Sequence, residues 1–126
     1  MKIHRDKLDD LFSEVVRRRA VLESNGCQYC GKQTKSYLDL DCSHFIGRRK
    51  RSTRWCSDNA VGICRGCHFF LGEHPYEHTE FFKKRLGTER LEKLIIKSNT
   101  QFKPDRDKIE VVLREALRIL KGGTDK

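Results

Sequence analysis

Four of the six cysteines in the chain stand in two identical clips, Cys27-x-x-Cys30 and Cys64-x-x-Cys67. Two such pairs supply four thiolates, the tetrahedral sulfur set of a closed structural zinc site. Cys42 and Cys56 stand alone and read as small buried or half-buried residues rather than as further ligands. Between the clips and just after them lie groups that handle protons and cations: Asp39, Asp41, Ser43 and His44 in one run, then Asn59, then His68 directly after Cys67. A neutral imidazole with a pKa near ~6.5 can take a proton at neutral pH. His74 and His78 are four residues apart, a spacing that chelates metal on a helix, but they flank Pro75 and follow Gly72 and read as solvated helix-start residues. The loop from Gly47 to Trp55 carries Arg48, Arg49, Lys50, Arg51 and Arg54, five cations within seven residues. Such a run grips a phosphate backbone, and Trp55 would stack on a base or anchor the loop.

The elements that must position these groups follow from hydrophobic periodicity. Leu8, Leu11, Phe12, Val15 and Val16 recur at the helical period, which predicts a helix from about Lys7 to Glu23, capped by Asp6 and stopped by Ser24-Asn25-Gly26. From Tyr37 to Phe45 the pattern alternates, with Leu38, Leu40 and Cys42 on one side and Asp39, Asp41 and Ser43 on the other, which predicts a strand. Ala60 to Ile63 is a second short strand that leads into the second clip. His68 to Leu71 reads as a short helix ended by Gly72. Pro75 opens a further helix stopped by Gly87, and Thr88 caps the next, which carries Leu91, Leu94, Ile95 and Ser98. A last helix starts near Pro104 and stacks Ile109, Val112, Leu113, Ala116, Leu117 and Leu120, with Val111 and Ile119 off its apolar face. Gly122 to Lys126 reads as a frayed tail.

Composition narrows the class. At 126 residues the chain suits one domain, and its 37% hydrophobic and 36% charged residues leave a thin core that a bound metal would supplement. A net charge of +9 and a pI near 9.5 point to a polyanionic partner, most often nucleic acid. No apolar run approaches the ~18 residues of a membrane span, and the N-terminus lacks a signal-peptide core, so the expectation is a soluble, cytoplasmic protein with no membrane partner. In a reducing compartment the cysteines are then metal ligands rather than a disulfide framework, and a Cys42–Cys56 pair is disfavoured.

The combined pattern, Asp41-Cys-Ser-His44-Phe, then Asn59, then Cys64-Arg-Gly-Cys67-His68, resembles the HNH (His-Me finger, ββα-metal) endonucleases, in the branch where two C-x2-C pairs clamp the finger. The resemblance covers residues 27 to about 72. It implies that His44 is the general base, that Asn59 orients it or holds the loop that positions it, and that His68 ligates a single catalytic divalent ion, Mg²⁺ or Mn²⁺. It implies water attack and products with 5′-phosphate and 3′-hydroxyl ends. Two positions depart from the pattern. The family usually carries Asp, Glu or His just before the base, where this chain has Ser43, and some members carry a further His where this chain has Gly72. Asp41, one pleat repeat from Ser43, is the expected second ligand, with Asp39 and Ser43 as competitors. A narrower resemblance, carried by His44-Phe45, Arg54-Trp55, Asn59, the second clip and Lys84-Arg85-Leu86-Gly87, is to phage recombination nucleases of the NinG/Rap type. It implies branched DNA (D-loops and four-way junctions) as substrate and the cytoplasm of a phage host as location. Two symmetric cuts in a junction would require a homodimer.

The expectation is thus an α+β protein, a zinc-stapled ββα-metal (HNH) finger embedded in a mainly helical small domain. Residues 1–126 form one unit: an N-terminal helix over 1–26, the finger over 27–72 and C-terminal helices over 73–126. Its expected function is metal-dependent DNA endonuclease. The alternatives are a non-catalytic zinc-stabilised DNA-binding protein, a generic HNH nickase or a homing-type nuclease.

Overall fold

The computed structural model describes residues 3–122. Asp6 accepts hydrogen bonds from the backbone amides of Leu8 and Asp9, while the Asp9 carboxylate accepts one from the Asp6 amide. This reciprocal cap opens α1 (Lys7–Ser24), and Asn25, in the left-handed region at φ 58°, closes it. The first clip follows as a tight knuckle in which the Gly31 amide donates to the Cys27 carbonyl and the Cys27 amide to the Lys32 carbonyl. β1 (Leu40–His44) then pairs antiparallel with β2 (Ala60–Cys64), Leu40 opposite Cys64 and His44 opposite Ala60. α2 (Arg65–Glu73) starts from Cys64 without a break in the chain. Pro75 begins α3 (Pro75–Ser98), which breaks at Gly87, whose φ of 82° suits a residue without a side chain. Asp105 caps α4 (Arg106–Leu120).

The small sheet lies between two helical layers, and the pleat sorts its residues between them. Ala60 and Cys42 join Phe12, Val15 and Val16 of α1 and Leu113 and Leu117 of α4 in one apolar cluster. Val61 and Ile63 join Leu71 of α2 and Phe82, Leu86, Leu91 and Leu94 of α3 in the other. α1 crosses β2 so closely that a Cβ on Gly62 would sit 2.7 Å from the Ala20 Cβ. Gly62 is also tied to the first knuckle: Gln28 donates its amide to the Gly62 carbonyl at 2.9 Å and accepts the Gly62 amide at 3.0 Å.

Several local expectations shift. Residues Tyr37–Asp39 form a 3-10 turn capped by Ser36, so the strand begins at Leu40 and Leu38 is exposed. The Ser36 hydroxyl captures the Leu38 amide and competes with strand pairing there. α2 begins inside the second clip rather than at His68 and passes Gly72 to end at Glu73. On α4, Val112 is exposed along with Val111 and Ile119, because Leu113 and Leu117 suffice to cover α1. Cys42 and Cys56 are half-buried and free. The end of the expected tail, 123–126, lies outside the described residues. Among the described residues no helix is long and apolar enough to cross a membrane.

Candidate functional site

The two clips converge because Gln28 of the first knuckle is bonded to Gly62, in the strand that Cys64 ends. The sulfurs of Cys27, Cys30, Cys64 and Cys67 all lie within 4.8 Å of one another, and those of Cys30 and Cys64 are 3.9 Å apart. A tetrahedron of ~2.3 Å Zn–S bonds has edges of about 3.8 Å, so the cluster has dimensions compatible with zinc. Its electrostatics also suit a cation. Burial pushes the Cys27 thiol up, but amide hydrogen bonds from Cys30, Cys64 and Tyr29 outweigh it and bring the group down to about 7. Burial and the neighbouring sulfurs push Cys67 in the opposite direction. Four thiolates at this spacing repel unless a positive ion sits among them. These four residues are therefore a site that could hold a metal ion.

Beside this cluster, β1 and the first turns of α2 bring Asp41 and His68 together. The His68 imidazole donates from Nδ1 to Asp41 Oδ2 at 3.0 Å, and the other Asp41 oxygen accepts from Arg65 at 3.1 Å. Burial alone would raise the Asp41 carboxyl, but the bonds from Arg65 and His68 hold it below the ordinary carboxylate range. With Nδ1 carrying the proton, Nε2 of His68 is left as the nitrogen with a lone pair, the arrangement by which carboxylates orient metal-binding histidines. Asp41 is the carboxylate that reaches His68. Asp39 instead accepts from the Thr34 hydroxyl at 2.8 Å, and Ser43 is buried.

His44 has a different setting. Its ring packs against Phe12 of α1 with centroids 5.6 Å apart, and Nε2 donates to the Arg54 carbonyl at 3.1 Å, which leaves Nδ1 to accept a proton. Burial holds His44 below its ordinary value of 6.5, so the imidazole is neutral at neutral pH. His44 follows Asp41 by three residues, so the pleat directs it to the α1 face of the strand and Asp41 to the α2 face. Asn59 is fully buried and staples the loop after His44. Its Oδ1 accepts the Ile46 amide at 2.7 Å, and its Nδ2 donates to the carbonyls of Ile46 at 2.8 Å and Thr53 at 3.1 Å. The side chain of Asn59 thus holds the loop that carries the Arg54 carbonyl, while its bonds do not reach the imidazole.

The basic loop divides into an inward and an outward part. Arg54 donates to both oxygens of Asp9, at 3.0 and 2.6 Å, and Trp55 Nε1 donates to Asp9 at 3.0 Å. Arg48 lies 3.5 Å from the same carboxylate and donates to the Ile3 carbonyl. Arg54, Trp55 and Arg48 therefore anchor the loop, whereas Arg49, Lys50 and Arg51 are exposed and line a cleft of about 830 Å³. Asp9 is a positioning residue that periodicity alone would place merely in a helix cap; its partners lie some forty-five residues away and leave no local signal. His74 is exposed and stacks on Phe70, but His78 is half-buried against Phe45 and Phe82 rather than solvated.

In comparisons with known proteins, no family model matches this chain, no curated protein is similar to it, and no solved structure matches it.

Proposed function

We propose that this protein is a metal-dependent DNA endonuclease of the HNH type, with zinc in the four-cysteine cluster. The observation that carries the reading is the Asp41–His68 hydrogen bond on a helix whose first turn belongs to that cluster, so one metal clip orients the residues for a second ion. The zinc is structural: four cysteines leave no open position for substrate. A divalent ion, Mg²⁺ or Mn²⁺, at Nε2 of His68, whose ring Asp41 orients from Nδ1, would supply positive charge to the scissile phosphate and the departing 3′ oxygen. His44 takes the proton of the attacking water at Nδ1, its ring fixed by the Arg54 carbonyl. Asn59 keeps that carbonyl in place. The exposed cations of the loop hold the flanking phosphates. Branched recombination intermediates are the proposed substrates, cut in pairs by a homodimer.

A second reading, a zinc-stabilised DNA-binding protein without catalysis, is favoured by one feature: Ser43 is buried and His44 faces α1, away from the Asp41–His68 pair. A nicking assay separates the two. Supercoiled plasmid and a four-way junction are incubated with the protein and Mg²⁺, Mn²⁺ or EDTA. Metal-dependent nicking that His44→Ala lowers by roughly 10²–10⁴-fold, with DNA affinity retained, supports the nuclease. Binding without nicking in either metal supports the second reading.

A further inference from the structure

A cleft lies between the outward face of the basic loop and the segment that joins α3 to α4, and no carboxylate lines it. Its cations are Arg49, Lys50, Arg51 and Lys103, and its volume of about 830 Å³ falls within the ~300–1,000 Å³ usual for small-ligand sites. Phe102 lines it and, with Arg51 and Ser52, also lines a second cavity of about 420 Å³, so the ring is shared by two recesses. This ring is 46% exposed, and the Lys97 ammonium stands 6.0 Å from its centroid. A large aromatic left half in water beside four cations buries no core, and a nucleobase is the partner that uses both its face and the charges around it.

The walls are held firmly. Ser52 donates its hydroxyl to the Lys97 carbonyl at 2.6 Å, and Lys50 donates to the Asn99 side chain at 3.3 Å, which ties the loop to the end of α3. A helix C-terminus would ordinarily repel phosphate through its bare carbonyls. Here the Ile95 and Ile96 carbonyls accept from the Ser98 and Thr100 hydroxyls as well as from the Asn99 amide, so that end is capped.

We infer that this cleft is a subsite for unpaired nucleotides, with Phe102 as the stacking platform for a base and Lys50, Arg51 and Lys103 as the phosphate contacts. The inference rests on the DNA-binding reading above and adds that the strand at this site is single. It gives a physical basis for preferring D-loops over plain duplex DNA, because a D-loop carries an unpaired strand and a duplex does not.

Fluorescence anisotropy, at one salt concentration and then across a salt series, tests it, with a labelled oligothymidine of about a dozen nucleotides and a labelled blunt-ended two-strand duplex as probes. Phe102→Ala should weaken oligothymidine binding at least about fivefold for one stacked base, leave duplex affinity unchanged, and be rescued by Phe102→Trp. Lys103→Ala should flatten the single-strand salt slope by about 0.7. Unchanged helical circular dichroism in Phe102→Ala keeps the comparison fair. Equal loss on both probes, or no loss on either, overturns the subsite. So does displacement of the oligonucleotide by polyglutamate of equal charge with no dependence on Phe102, which would mark an acidic-protein surface. Failure here and failure of the nuclease reading are distinguishable. Plasmid nicking without Phe102-dependent single-strand binding removes only the subsite, and Phe102-dependent binding without nicking removes only the nuclease.

Discussion

Asp9 gathers its ligands from three places: the Asp6 amide, the Arg54 guanidinium and the Trp55 indole. Burial by itself would raise its carboxyl, but the Arg54 bonds, the Asp6 amide and the Trp55 N–H bring it from 3.8 down to about 2. A carboxyl lowered on folding stabilises the fold above its unfolded value and loses that contribution as pH falls toward the folded value. The shift corresponds to about 2 kcal/mol, present above pH ~4 and lost between roughly pH 4 and 2. Asp9→Asn should therefore flatten the stability profile across that window. It should also cost roughly 1–3 kcal/mol at neutral pH, because Arg54 loses its carboxylate and keeps only the His4 carbonyl and the more distant Asp6. Urea unfolding of both proteins at pH 7, 4 and 2.5 checks this; parallel curves would mean that the ion pair contributes nothing. The two clips were visible from spacing, and the fold brings their four sulfurs together; His44 and His68 were named from spacing too, but His44 packs on α1 whereas His68 bonds Asp41 on the α2 face. Anchoring was one of the two readings the sequence offered for Trp55, but Arg54 was not readable as an anchor, since a charge run in sequence carries no sign of which members turn inward.

At the scale of elements, the close crossing of α1 over β2 sets the strictest requirement. Gly62→Ala would place a methyl 2.7 Å from Ala20 and 3.3 Å from the Arg17 Cα, which is helix backbone and yields little. The variant should lose about 1–3 kcal/mol, seen as a lower thermal midpoint with unchanged zinc content. Gly72→Ala, on an open face, serves as the control. The helix starts and stops were legible because capping is local: Asp6, Pro75 and Gly87 each act on their own turn. The front of β1 was less so. Its alternating pattern continues back to Tyr37, but the Ser36 hydroxyl turns the chain first. The break between α1 and β1 and the pairing of Gln28 with Gly62 depend on contacts across thirty-four residues, beyond any periodicity.

For the molecule as a whole, the cysteine cluster joins the segment after α1 to the start of α2, and the two apolar clusters meet at the sheet beside it. With so little apolar material, folding and metal binding should be one transition. Elemental analysis after dialysis should find about one zinc per chain, and chelator treatment or Cys30→Ser should abolish the cooperative unfolding transition. A cooperatively folded, zinc-free protein would refute this. The charge of +9 predicts DNA binding that weakens steeply with salt. Replacing Arg49 and Arg51 together with Ala should flatten the log–log slope by roughly one to two units on duplex DNA, measured by titration across a salt series. An unchanged slope would leave the loop as solvated surface. Charge and cysteine arithmetic made both expectations readable from the sequence, whereas the cleft beside Phe102 arises only where two distant segments meet.

The Asn59 staple grips the chain at Ile46 and at Thr53, and the inward bonds resume at Arg54. The stretch from Gly47 to Ser52 is consequently a bight tied at its neck, and the closure entropy of such a loop grows only by about 0.6 kcal/mol for each doubling of its length. Within it, Arg48, Lys50 and Ser52 tie the bight to Ile3, Asn99 and Lys97, so the exposed Arg51 side chain is where a change of charge would alter what the protein grips at least cost to how it folds.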